Sequence, residues 1–214
     1  IFEVSVAYET FSYFGTFDFA QSFQFVEDDF SDSALDAIGD DPEQGAYSTF
    51  GTQFTLTSIF RFKVGPIAAR NTFRLMQAEF DIREGDQLLY DPVWDLLIPN
   101  GGWFMNNDVD LLVFIGERLK LGARWTFATS FYRDRDFNPG GPGEDINGAT
   151  NRVGPAMTYT FPSKSKLFKD PTLVVVANWW VEHRFRTGED VSTAFPYFIA
   201  GLSFSGDLWT SEVE

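Results

Sequence analysis

The stretch from Leu119 to Phe131 constrains the fold most strongly, because its side chains alternate between apolar and polar with a period of two. This period is that of a β-strand with two different faces. One face carries Leu119, Leu121, Ala123, Trp125, Phe127, Thr129 and Phe131. The other face carries Lys120, Gly122, Arg124, Thr126, Ala128 and Ser130. The segment extends about 40 Å at roughly 3.3 Å per residue, whereas about 9–11 residues suffice for a tilted strand to cross a bilayer.

The two faces also differ in bulk, which indicates how such a strand is oriented in a barrel. The narrow interior of a small barrel accepts small and hydrogen-bonding side chains, but rows of Phe and Trp do not fit there. We therefore expect the aromatic face to point outward, where lipid solvates it and water does not. The alternative is a soluble barrel with its Phe side chains inside and its Arg side chains outside.

The same alternation recurs along the chain and predicts an all-β fold, an antiparallel up-and-down transmembrane β-barrel of about 8 strands. The other strands are expected at residues 2–8, 17–25, 47–64, 67–83, 103–115, 153–161, 172–186 and 198–205. The first two ranges form either one long bent strand or two strands about a tight turn. Ten strands would result if residues 2–13 paired separately and another strand lay within 84–102. A phase shift near Leu75 and Met76 predicts a β-bulge.

The connections between these strands alternate between long and short. Long connections begin at Glu27, Glu84, Arg133 and Thr187, and the short ones are 65–66, 117–118 and the Lys-rich turn 162–170. Large loops at one end and tight turns at the other are typical of outer-membrane barrels. The first loop is acidic, with a helical turn expected at 33–38. The second, 84–102, is apolar, so we expect it to fold over the barrel mouth or to lie at the membrane interface.

Composition narrows the class of protein further. The net charge is −15, and residues 1–60 hold 11 acidic residues without a single Lys or Arg, which argues against nucleic acid as a partner. No run of about 18 apolar residues predicts a transmembrane helix, and the fold requires no disulfide because Cys is absent. We predict one domain over 1–214, in which 1–16 is an extra strand or an N-terminal extension and 210–214 is a tail.

With its two-faced strands, aromatic bands and unequal loops, the chain resembles small bacterial outer-membrane β-barrel proteins as a class. This resemblance implies a location in the bacterial outer membrane, contact with outer-membrane lipid and lipopolysaccharide, and protein partners in an envelope complex. Such proteins usually finish on a strand with a terminal aromatic residue. Phe204 and Trp209 come close to that pattern, but the acidic segment 210–214 follows.

Charged residues on the polar faces predict an ion-pair network inside the barrel, because enclosed charges persist only when they are paired. Arg61 and Arg70 are expected to lie nearly opposite each other across the 65–66 turn. We assign to the network Arg61, Arg70, Arg74, Arg124, Arg184, Glu182, Asp108 and Asp110. The alternative role of these residues is an anion-selective channel lining, which requires a wider lumen.

No residue pattern predicts catalysis, so we expect a protein that is not an enzyme. His183, the sole histidine, shares its strand face with Trp179, and no Ser follows at strand spacing. We expect it at the lipid headgroups rather than in the His–Ser pair of a lipid-modifying barrel. No cofactor is expected beyond loosely bound Ca²⁺ or Mg²⁺ at the acidic loops. An incomplete calcium-loop pattern is formed by Asp134, Asp136, Asn138 and Asp145, with Pro139 in place of the required Gly.

The expected function is that of an integral outer-membrane β-barrel with a structural, anchoring or partner-binding role and an interior plugged by polar and charged side chains. A narrow porin-like channel, or a conduit for hydrophobic solutes, would have the same architecture. A soluble lipocalin-like binding barrel is the alternative with the opposite orientation of the two faces.

Overall fold

A computed structural model describes residues 1–13, 21–40, 47–141, 146, 148–163, 165, 168–187 and 196–205. Strands dominate this part of the chain. They are β1 (Phe2–Tyr13), β2 (Ser22–Phe23), β3 (Thr49–Val64), β4 (Ile67–Phe80), β5 (Leu88–Asp91), β6 (Leu96–Pro99), β7 (Gly102–Ile115), β8 (Leu119–Phe131), β9 (Ala149–Thr160), β10 (Lys169–Glu182) and β11 (Tyr197–Ser205). The helical segments are α1 (Asp32–Gly39) and a 3₁₀ turn (Asp134–Asp136). None of the described helices has the length and apolar character needed to span a membrane.

Eight of the strands form one antiparallel sheet in the order β1-β3-β4-β7-β8-β9-β10-β11. Strands that are neighbours in this sheet are also consecutive among its strands along the chain, as the up-and-down prediction requires. The sheet curves into a half-barrel, with β1 and β11 as its edge strands among the described residues. The alternative of ten wall strands is not what the described residues show. β5 and β6 do lie within 84–102, but they form a separate small sheet in which β5 pairs with both β2 and β6. The predicted strand 17–25 lies partly outside the described residues, and its described part contributes only β2.

Connections at the two ends of the sheet differ as expected. Gly65 (φ +55°) and Gly116 (φ +68°) adopt the left-handed conformation in the tight turns after β3 and β7, where a side chain would strain the backbone. The opposite end carries α1, the small sheet and the 3₁₀ turn. The helical turn predicted at 33–38 is confirmed by α1, whose first turn is capped by the Ser31 hydroxyl accepting from the Ala34 N–H at 3.4 Å.

The segment 84–102 folds over the end of the half-barrel, which confirms the first of its two predicted placements. Leu89, Leu96 and Ile98 pack against Met76, Phe80 and Phe104 of the wall. On the opposite side of the hairpin, the buried residues are Leu88, Tyr90 and Leu97, which pack with Phe23, Val26, Phe30 and Leu35. We call the assembly of β2, β5, β6 and α1 the cap. It defines the inner face of the large sheet as the face that it covers.

The predicted bulge at Leu75 and Met76 is wrong. Pairing of β3 with β4 runs without interruption from Val64↔Ile67 to Gly51↔Phe80, and β4 pairs continuously with β7. The inner face of β4 instead changes character along its length, from Arg70 and Arg74 to Met76 and Phe80, because the cap packs only on the second part. The sequence pattern therefore records a change of neighbour and not a change of backbone.

The outer face of the large sheet is lined with exposed apolar and aromatic side chains on every strand. Representative members, with at least a third of their surface exposed, are Phe2, Val6, Phe50, Phe60, Ile67, Trp103, Leu111, Val113, Leu121, Trp125, Phe131, Val153, Trp179, Val181, Phe198 and Phe204. Arg124, by contrast, shares the inner face with Asp110. The predicted orientation of the two faces of β8 is confirmed.

Candidate functional site

The inner face of the half-barrel carries two ion pairs that join neighbouring strands among β4, β7 and β8. Arg124 donates from Nε and Nη2 to the two carboxylate oxygens of Asp110, at 2.7 and 2.9 Å. Arg74 donates to Asp108 at 3.1 Å and to Asn106 at 2.9 Å, and the Thr126 hydroxyl donates to Asp108 at 2.7 Å. A bidentate Arg–carboxylate pair is the strongest and most directional of such contacts. These bonds tie the three central strands together through their side chains.

Arg61 and Arg70 are direct partners across the β3–β4 ladder, as the turn at 65–66 predicted. Arg61 pairs with Glu3 of β1. Arg70 is the cross-strand partner of Asp110 in the β4–β7 ladder, but Asp110 uses both of its oxygens for Arg124. Arg70 thus contributes a positive charge to the inner face without an ion pair in the described part of the chain.

Two residues assigned to the interior network lie elsewhere. Glu182 is exposed at the end of β10 and accepts from the Asn151 side chain, its neighbour in the β9–β10 ladder. Arg184 follows the end of β10, which stops four residues earlier than predicted, and donates to the backbone carbonyls of Val26 at 2.5 Å and Glu27 at 2.7 Å. It holds a loop against the cap instead of lining the interior.

Arg152, which the sequence reasoning did not assign, is the most deeply buried basic side chain of the inner face at 3% exposure. Its guanidinium lies over the rings of Trp180 and Tyr197, 4.7 and 4.1 Å from their centroids. It donates to the Val93 carbonyl of the cap at 3.2 Å. Arg152 lies just before the predicted strand 153–161, and its partners Trp180 and the Val93 carbonyl leave no local signal in the sequence.

His183 does not lie at a lipid interface, and that prediction is wrong. Its ring is buried, and Nε2 lies 2.7 Å from the Asp95 carbonyl of the cap while Nδ1 accepts the Phe185 N–H at 2.9 Å. β10 ends at Glu182, so the chain turns and the ring leaves the outer face. Burial lowers the pKa of His183, although Asp95 partly opposes that effect.

Asp95 organises the polar contacts beneath the cap. Its carboxylate accepts from the Tyr90 hydroxyl at 2.8 Å and from Arg186 Nε at 2.6 Å, and Arg186 also pairs with Asp32 of α1. Burial lowers the pKa of Arg186, but its bonds to Asp95 and Asp32 outweigh that effect and raise it overall. Burial and the neighbouring Asp95 raise the pKa of Tyr90. No nucleophile is placed beside His183 by these contacts, which join the cap to the end of β10.

The residues predicted to bind calcium lie in different environments in the structure. The Asp136 carboxylate is fully buried and accepts from the backbone N–H, Nε and Nη2 of Arg133, at 2.7 to 3.1 Å. Asp134 and Asn138 are exposed, and Asp145 lies outside the described residues. Within the described ranges no group of three or more Asp, Glu, His or Cys residues could hold a metal ion. Asp136 is thus already bound by an arginine, and binding of Ca²⁺ or Mg²⁺ stays a prediction.

Beyond the cap, the inner face lines a cavity of about 490 Å³, which lies at the end of the sheet where the tight turns are. Side chains of Arg61, Arg70, Leu112, Phe114, Lys120 and Val176 are among those that line it. The half-barrel interior therefore has two parts, one filled by the cap and one open and basic.

Comparisons with known proteins found no matching family model, no matching curated protein and no matching solved structure.

Proposed function

We propose that the chain is an integral β-barrel of the bacterial outer membrane whose interior is plugged, with a structural, anchoring or partner-binding role. The observation that carries this proposal is the exposed outer face, where Phe, Trp, Val, Leu and Ile side chains follow one another across all eight strands. A soluble monomer rarely exposes so continuous an apolar surface, whereas the hydrocarbon of a bilayer solvates it. Two ion pairs on the opposite face, Arg74–Asp108 and Arg124–Asp110, support the same assignment, because enclosed charges persist when they are paired.

Membrane insertion requires that β1 and β11 find partners for their free edges, because an open sheet edge is not tolerated in hydrocarbon. We propose that the barrel closes in the membrane. The plug consists of the cap together with the pairs Arg124–Asp110 and Arg74–Asp108. The acidic segment around α1, which lies at the loop end, is the surface that we propose for partner binding.

Detergent dependence tests the membrane assignment. The purified chain is expected to aggregate in buffer without detergent and to become monodisperse in a non-ionic detergent. In gel electrophoresis, an unheated sample is expected to migrate differently from a boiled one, because a closed barrel resists the denaturing detergent. A monodisperse monomer without detergent, with identical heated and unheated migration, would instead establish the soluble binding barrel.

Conductance separates the plugged barrel from the porin-like alternative. Reconstituted in a planar bilayer, the wild-type chain is expected to show no steady single-channel current. A variant without the cap hairpin, with residues 88–99 replaced by a short Gly-Ser linker, tests the plug itself. A steady current from the wild type would favour a channel, and heat-dependent migration of the same sample would confirm that the barrel had folded.

A further inference from the structure

The open cavity differs in charge from the rest of the molecule. The chain carries a net charge of −15, yet five basic residues and one carboxylate line this cavity. They are Arg61, Lys63, Arg70, Lys120 and Arg124, with Asp110 as the carboxylate. Because like charges enclosed in one cavity repel each other, such a cluster favours an anion that neutralises it.

Three of the five cations remain available to a ligand. Asp110 is taken by Arg124 through both oxygens, and Arg61 is paired with Glu3. Lys63, Arg70 and Lys120 have no ion pair with a carboxylate in the described part of the chain. An anion entering this cavity therefore displaces no existing pair.

The cavity also contains a hydroxyl group that lacks a partner. Thr158 Oγ1 is buried and makes no hydrogen bond to any described residue, although Thr158 lines the cavity. Buried polar atoms are almost always hydrogen-bonded, so an orphan hydroxyl in a cavity wall indicates a missing acceptor or donor.

Apolar side chains form the remaining wall. Leu112, Phe114, Val174 and Val176 line the same cavity as the cations. The ammonium groups of Lys63 and Lys120 both lie over the Phe114 ring, 4.1 and 5.0 Å from its centroid. The two lysines thus hold their charges beside an apolar surface, which matches a ligand with an anionic head and a hydrocarbon tail.

We infer that this cavity binds a single-chain anionic amphiphile, with a carboxylate or phosphate head at Lys63, Arg70 and Lys120 and its tail along Phe114 and Val176. A volume of about 490 Å³ lies within the ~300–1,000 Å³ of small-molecule sites. This inference goes beyond the proposed function, because a plugged barrel needs no ligand and binding in detergent does not depend on conduction.

Calorimetric titration of the intact chain in a non-ionic detergent tests the inference, with octanoate, octyl phosphate, octyltrimethylammonium and inorganic phosphate as probes. Saturable binding of octanoate or octyl phosphate is expected, with at least tenfold weaker binding of inorganic phosphate and none of octyltrimethylammonium. Equal binding of inorganic phosphate and the two anionic amphiphiles would overturn the inference, because it would show an anion site without a tail pocket. If octyltrimethylammonium bound as tightly as the anionic amphiphiles, the inference would also be overturned, because the signal would then reflect partition into detergent micelles.

Variants locate the site. Arg70→Gln and the double variant Lys63→Gln/Lys120→Gln are each expected to weaken binding of octanoate at least tenfold. The matched control is Arg135→Gln, which removes an exposed arginine from the opposite end of the sheet and should leave the affinity unchanged. Thermal melting of each variant checks that it folds. If Arg70→Gln or the double variant Lys63→Gln/Lys120→Gln does not fold, the other one still tests the site. If either of these variants folds and keeps the wild-type affinity for octanoate, the assignment is overturned.

Discussion

His183 and Asp95 join the end of β10 to the cap, with Nε2 of the imidazole 2.7 Å from the Asp95 carbonyl oxygen. The Phe185 N–H donates to Nδ1 at 2.9 Å, so Nδ1 is the acceptor and the single ring proton belongs on Nε2. The contact between Nδ1 and the Phe185 N–H therefore requires a neutral ring. Protonation would place a second proton on Nδ1, where it would face the Phe185 N–H.

This geometry predicts that acid loosens the cap. The pKa of His183 is lowered by burial, so the unfolded chain binds more protons than the folded one as the pH falls below the ordinary histidine value of about 6.5. The contribution of His183 to stability is thus complete above that pH, and it is lost as the pH falls through the pKa of His183 in the folded chain. Hydrogen exchange of the β5–β6 amides, corrected for the intrinsic rate, is expected to accelerate between pH 7 and pH 5. His183→Gln should exchange faster than wild type at pH 7 and should lose this acceleration between pH 7 and pH 5.

Asp91, at the tip of the same hairpin, is expected to act with the opposite sign. Burial raises its pKa to about 6, against the N–H donors of Trp94 and Val93 that lower it. A raised folded pKa means that its contribution to stability is present below the unfolded value of about 3.9 and is lost as the pH rises through about 6. Asp91→Asn keeps an acceptor for both N–H groups. Its melting temperature should exceed that of the wild type at pH 7 and approach it at pH 4, whereas a constant difference would contradict the assignment.

Alternation along the chain predicted most of the wall of the half-barrel, although it left open which N-terminal segment forms the first wall strand. In β8, Trp125 and Arg124 are adjacent in sequence and lie on opposite faces, and a strand period of two dictates that result wherever the backbone is extended. The same rule placed Arg61 opposite Arg70, because a tight turn fixes the register of a hairpin. Local patterns carry this information because each strand contacts its sequence neighbour.

The cap was beyond the reach of the same reasoning. Met76 and Phe80 read as a backbone irregularity, because nothing local shows that a hairpin from residues 88–99 covers them. His183 and Arg184 read as strand residues for the same reason, since their partners Asp95 and Val26 are distant in sequence. Contacts between a loop and the inside of a sheet leave no periodic signal, so the part of the candidate site that involves the cap required the structure.

Leu111→Arg separates a lipid-facing surface from a water-facing one. Leu111 lies on the outer face of β7 and is 55% exposed. In water such a substitution should change the free energy of unfolding by no more than about 0.5 kcal/mol. In a bilayer, an arginine near the middle of a spanning strand costs about 2–4 kcal/mol. We expect the larger loss in urea titrations of chain folded into lipid vesicles, with Glu117→Arg in the β7–β8 turn as the nearly neutral control.

Asp136→Asn tests whether the buried carboxylate serves Arg133 or a metal ion. The substitution leaves a neutral acceptor beside the three N–H donors of Arg133, so we expect a loss of about 1.5–3 kcal/mol, the range for hydrogen bonds to charged groups. Because the arginine already occupies this carboxylate, millimolar Ca²⁺ should raise the melting temperature of the wild type and of Asp136→Asn equally or not at all. A Ca²⁺-dependent rise confined to the wild type would show that Asp136 is a metal ligand.

Arg152 offers a test in which the chemically conservative change should be the more damaging one. Its guanidinium stacks on Trp180 and Tyr197, and Nε and Nη1 lack hydrogen-bond partners among the described residues. Lys would keep the buried charge without the planar group that covers both rings, so Arg152→Lys should cost about 2 kcal/mol or more. Met would fill similar volume without a charge to desolvate, so Arg152→Met should change the stability by about 1 kcal/mol or less.

Both variants are best compared by urea unfolding of the detergent-solubilised chain, with Arg135→Lys as the control at an exposed arginine. We expect similar free energies of unfolding for the wild type and Arg152→Met, and a clearly lower one for Arg152→Lys. If Lys were tolerated and Met were not, the positive charge itself would be what position 152 requires. The two aromatic rings would then act as a cation site and not as a stacking surface, and the Val93 carbonyl would become its main polar partner.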